Sequence, residues 1–140
     1  MFTCISRPPY IYSKNINAQS ILSIALDNEQ NIWTGTDGKG VEVYSHDGKK
    51  IASYQQKELS TIQTAIRDSK GRLWLGNFRD NAYVCPKGGN NFKKIFASDG
   101  IDVRTFYEHK QAGIMLVGTN NGLFEVDMNS LEVKTKHTFK

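Results

Sequence analysis

The chemistry-bearing residues of this chain are few and dispersed. His46, His109 and His137 share no spacing that would place them on one metal ion, and Cys4 and Cys85 lie too far apart for a two-cysteine metal motif. Glu42, Glu108 and Glu125 are scattered, with no pair of carboxylates set for acid and base work. Asp27-Asn28-Glu29-Gln30-Asn31 has the oxygen-rich look of a calcium loop but lacks the central glycine and the distal glutamate. Asp27 and Asp68 read better as turn-openers than as acids. The strongest candidate for recognition is Phe78-Arg79-Asp80, an aromatic ring beside a guanidinium where comparable segments hold small polar residues. Such a pair stacks on a sugar ring or on a partner's side chain. Asp37, Asn120 and Asn121 fall at corresponding places and are ligand candidates of a weaker kind, since Asp and Asn are also natural turn formers.

These residues sit at comparable places because the chain repeats itself. Trp33 and Trp74 stand 41 residues apart, as do Gly35 and Gly76, and Asp27 and Asp68. Ile62 to Gly76 reads as an alternating strand, a turn from Asp68 to Arg72, and a second strand through Leu73-Trp74-Leu75. Ile21 to Gly35 is an earlier copy. Val103 to Gly118 is a later one, with one extra turn residue, His109 for the aspartate and Leu116 for the tryptophan. Gln30 stands where the turn glycine Gly71 does. Gly40, Asn81 and Gly122 recur at equal spacing, and we expect Asn81 to share a positive φ with the two glycines.

A period near 40 residues with four strand-like pieces per period predicts an all-β fold, a partial β-propeller of four-stranded antiparallel blades. The expected blades span residues 21–58, 59–98 and 99–140, with 1–20 as the outer strands of a preceding blade and a connecting loop. Expected strands are 21–26, 32–36, 41–44 and 50–54 in the first blade, and 62–67, 73–77, 82–85 and 92–96 in the second. In the third they are 103–108, 114–118, 123–126 and 133–137. Within 1–20, residues 2–5 and 10–12 read as strands. Trp33 and Trp74 belong to the core. Three blades are too few to close a ring, so the expectation is a segment of a longer propeller whose open edges self-associate.

The net charge of +4 is mild and the lysines are not striped, which argues against nucleic acid. No apolar run is long enough to cross a membrane as a helix, and no leader is visible. A disulfide between Cys4 and Cys85 would have to cross blades; the simpler reading is two free, buried thiols. No cofactor is expected.

The phrases ILSIALDNEQNIWTGTDGKGVEVY and IQTAIRDSKGRLWLGN resemble the two-component-regulator propeller repeat of hybrid sensor histidine kinases, over roughly residues 21–126. That resemblance implies a non-catalytic, ligand-sensing segment of a periplasmic sensor region, part of a membrane-anchored parent, with an oligosaccharide as ligand. Two other classes remain open. A propeller enzyme of the streptogramin-lyase kind would need a histidine base and a divalent metal near the axis, and His109, expected on the opposite face, is the nearest candidate. A protein–protein scaffold would bind through a face or an open edge.

Overall fold

A computed structural model describes residues 20–86 and 91–138. They form three four-stranded antiparallel sheets, each built from consecutive strands. The first holds β1 (Ile21–Leu26), β2 (Ile32–Thr36), β3 (Val41–Tyr44) and β4 (Lys50–Tyr54). The second holds β5 (Ile62–Arg67), β6 (Leu73–Asn77), β7 (Ala82–Cys85) and β8 (Lys93–Lys94). The third holds β9 (Val103–His109), β10 (Ile114–Thr119), β11 (Gly122–Asp127) and β12 (Val133–His137). The chain is all-β, as the repeat predicts. The strands expected in 1–20 lie outside the described residues.

The repeat is real in register as well as in sequence. Trp33 pairs with Ala25 and Val43, and Trp74 with Ile66 and Val84. Leu116 holds the corresponding place in the third sheet, between Tyr107 and Glu125. β5 lies against β1 on one side and β9 on the other, so the first strands of the sheets line a common inner edge.

Strand alternation divides the apolar residues between two seams. Leu73 and Leu75 point one way, into a cluster with Trp33, Val43 and Leu59 between the first two sheets. Trp74 points the other way, into a cluster with Phe106, Met115 and Val117 between the second and third. Trp74 is fully buried and meets Phe106 edge to face at 5.9 Å. Trp33 stacks on Tyr54 at 5.5 Å, and both meet the edge of Phe92.

Two expectations are corrected. The strand expected over 92–96 is only Lys93–Lys94. Asn81 does not take positive φ; Arg79, two residues earlier, does, at 53°. These two corrections have one cause. At Gly40 and Gly122 the carbonyl of the last strand, from Tyr54 or His137, closes on the glycine, and a Cβ would collide with it. Asn81 carries a side chain there, so the strand stands off. Its amide fills the gap like an inserted peptide, accepting from Phe96 N at 2.8 Å and donating to Phe96 O at 2.9 Å. Two single 3-10 turns, Lys57–Leu59 and Lys110–Ala112, lie between the expected strands. The second of these absorbs the extra residue of the third repeat, and Gly113 at φ 68° ends it.

Candidate functional site

Each sheet's second and third strands are joined on the side where its first strand begins, so these loops gather at one end of the molecule. The same stitch holds each. Asp37 N donates to Ser20 O at 3.2 Å, Phe78 N to Thr61 O at 2.9 Å and Asn120 N to Asp102 O at 3.1 Å. A bond between neighbours, Gly40 N to Ser60 O at 3.0 Å, ties the first loop to the connection leading into the second sheet.

The second loop departs from the other two at every position. Where Thr36 and Thr119 close their own turns through a hydroxyl, Asn77 reaches outward. Its Oδ1 accepts from Thr61 N at 3.2 Å and its amide nitrogen donates to Glu58 O. Asn77 and Asn81 are both buried, and they fix the two ends of a rigid loop. Asp80 is held from inside by the Tyr83 hydroxyl at 2.8 Å, which with burial raises the Tyr83 pKa well above the ordinary phenol range. Phe78 and Arg79 are left outside. Phe78 is 43% exposed, and the Arg79 guanidinium lies over its ring at 5.0 Å.

This loop borders a cleft of about 840 Å³, within the size range of small-molecule sites. The turn at Lys57–Ser60, tied to the loop through Asn77, lines it too, as do Phe92, Lys94 and Asp99. Lys94 and Asp99 pair across 3.0 Å, and that bond, with one from Asn81, holds the Asp99 carboxyl below its ordinary pKa.

Beneath the loop lies a group that sequence reading missed. Asp102 is 3% exposed and joins three segments: Gln63 donates to it at 2.6 Å, Arg104 at 2.9 Å and the Arg79 N–H at 3.4 Å. Burial alone would raise the Asp102 carboxyl, but these donors outweigh it and hold the pKa below the ordinary value. Its only trace in the sequence is its place just ahead of a repeat's first strand, where the second sheet has Thr61.

Not all the candidate residues meet. Phe78, Arg79 and Asp80 line the cleft together. Asn120 and Asn121 border a separate groove with Phe124 and Lys136, and Asn120 spends its carbonyl on Asp102 N at 3.1 Å. Asp37 is exposed and pairs with Thr61 through backbone. His109 ends β9 at the opposite end of the molecule, beside Asp68 and Lys110. Among the described residues no three of His, Cys, Asp and Glu are grouped to hold a metal ion. Cys85 is buried, and burial pushes its thiol pKa up to about 11. Cys4 lies outside the described residues.

No family model and no curated protein matches the chain. Solved structures do. The extracellular domain of BT4673 from B. thetaiotaomicron, whose two structures describe it as belonging to a hybrid and to a one-component system, aligns with a TM-score of 0.72 at 18% identity. That alignment covers 86% of this chain and 17% of that one. A streptogramin B lyase aligns with a TM-score of 0.64 at 13% identity, covering 81% of this chain and 39% of the lyase. The β-propeller domain of Cps50 (Swd1) from Myceliophteria thermophila aligns with a TM-score of 0.68 at 12% identity, covering 89% of this chain and 44% of that one. The chain thus spans about a sixth of the BT4673 extracellular domain and less than half of the other two. Repeat, register and these likenesses agree that the three sheets are consecutive blades of a β-propeller.

Proposed function

We propose that this chain is part of a non-catalytic, ligand-sensing propeller in the periplasmic sensor region of a membrane-anchored two-component histidine kinase, and that it takes an oligosaccharide. The blade assignment 21–58, 59–98 and 99–140 belongs to the same reading. The observation that carries it is the exposed Phe78 ring, presented beside hydrogen-bonding groups at the mouth of a cleft on the loop end of the blades. Pyranose rings have apolar C–H faces and a polar rim, and an exposed aromatic flanked by amides and charges matches both. The likeness to the BT4673 extracellular domain and the Asp-x-x-Gly-x-apolar-Trp-x-Gly phrase of residues 68–76 support the sensor context. In such a system binding acts by shifting the population between two receptor arrangements.

The test is a glycan array probed with the 140-residue chain, followed by calorimetry on each hit. Binding that Phe78→Ala weakens at least tenfold, with the fold intact by circular dichroism, is the expected result. An array with no hits, or hits indifferent to Phe78→Ala, would overturn the assignment of ligand class and cleft.

A further inference from the structure

We infer that the ligand of this cleft carries a carboxylate, and that Arg79 grips it. This rests on the oligosaccharide reading and narrows it to acidic, uronate-bearing sugars.

The argument is one of unspent donors. Arginine beside aspartate ordinarily pairs with it, through a planar fork that fits a carboxylate with two parallel hydrogen bonds. Arg79 has two aspartates at hand, Asp80 next in sequence and Asp102 against its own backbone, and its side chain pairs with neither. Asp80 is turned inward to the Tyr83 hydroxyl and the Asn77 amide. Asp102 takes the Arg79 backbone N–H but gives its carboxylate to Gln63 and Arg104. The guanidinium instead lies on the Phe78 ring, which orients its plane and leaves its edge in solvent. Lys57, which also lines the cleft, likewise makes no ion pair among the described residues.

The backbone points the same way. Arg79 sits at φ 53°, a left-handed conformation that is strained for a non-glycine residue. The corresponding loop of the first blade has glycine at Gly38, which carries φ 85°. Strain of this kind is enriched at ligand clamps. Glu58 and the inward Asp80, which both line the cleft, keep it from being uniformly positive. The fit is therefore to a single carboxylate beside a sugar face, not to a densely charged polyanion.

The probes are trigalacturonate, its methyl ester and succinate, titrated into the whole chain by calorimetry and followed at the Arg79 Nε–H by NMR. Trigalacturonate is expected to bind at least tenfold more tightly than its ester and to shift the Arg79 Nε–H resonance. Arg79→Gly should abolish that preference while raising Tm, since glycine relieves the strained φ. This variant separates lost recognition from lost folding. Equal affinity for acid and ester, or a preference that survives Arg79→Gly, would overturn the inference. Neutral glycans bound through Phe78 without any acid preference would sink it and leave the oligosaccharide reading standing. Succinate bound as tightly as trigalacturonate through Arg79 would keep the carboxylate grip and sink the sugar.

Discussion

At the scale of single residues, the recurring aspartate is more than a turn-opener. Asp68 accepts from Lys70 N, Arg72 N, Arg72 Nε and the Trp74 indole, all within 2.9 Å. Asp27 does the same for Glu29, Asn31 and Trp33. Each aspartate thus closes its turn and latches the buried tryptophan two strand positions beyond it. This explains why His109 and Leu116 depart together in the third repeat: without an indole N–H the carboxylate has lost its buried partner. Removing Asp68 leaves those donors unpaired at a site 3% exposed. Asp68→Ala is expected to cost about 3–5 kcal/mol in urea denaturation. The Asp27 latch adds a pH dependence. Burial alone would raise its carboxyl, but the bonds from Trp33, Asn31 and Glu29 outweigh that and lower it. The unfolded chain then binds the proton more readily, so stability from this group is present above the unfolded value near 3.9 and is lost as pH falls through the lower folded value. Denaturation midpoints measured from pH 6 down to pH 2.5 should fall below about pH 4, and Asp27→Asn should flatten that slope. Gln30 holds φ 67° where Gly71 holds 81°, so Gln30→Gly should stabilise the first blade by roughly 1 kcal/mol.

At the scale of elements, the second blade's last strand shows how one side chain resets a sheet. Asn81 is fully buried, and its amide serves Phe96 N, Phe96 O and Ala82 N. Asn81→Ala would orphan all three groups. The expected loss is about 2–4 kcal/mol, with faster hydrogen exchange at the Ala82 and Phe96 amides. The sequence marks position 81 as special by its spacing with Gly40 and Gly122, yet the shared property is not φ. Each position faces the closing carbonyl of its blade, and glycine meets it by vanishing while asparagine meets it by bonding. Periodicity reads such positions well because it reports what recurs; most strands, and the core tryptophans, stand where it places them. It cannot read what a departure does. Phe78 and Arg79 are visible as departures, but that the Arg79 side chain pairs with neither aspartate depends on Tyr83, Gln63 and Arg104 being drawn to them from three segments. Asp102 is hidden for the same reason, since its partners lie 39 residues before it in Gln63 and across the loop in Arg79.

At the scale of the molecule, the two outer blade faces are unlike. Along β1, Leu22, Ile24 and Leu26 point away from the second blade and are 42%, 64% and 40% exposed, an apolar stripe on the innermost strand. The outward face of the third blade is mixed. Leu116 replaces the tryptophan, Glu125 stands where Val43 and Val84 do, and Glu125 pairs with His137 at 2.6 Å. Among the described residues no further sheet covers either face. Repeat proteins bury their cores between neighbours, so the apolar stripe is the side where this chain gains most by association. We propose that copies of the chain associate through it. Light scattering over a concentration series should show a mass rising above that of one chain. Ile24→Lys should return it to a single chain with the circular dichroism spectrum unchanged, because Ile24 is mostly solvent-exposed in one copy. Thr135→Lys, on the polar face of the third blade, should have no such effect. If both substitutions, or neither, change the mass, the stripe on β1 is not where copies meet.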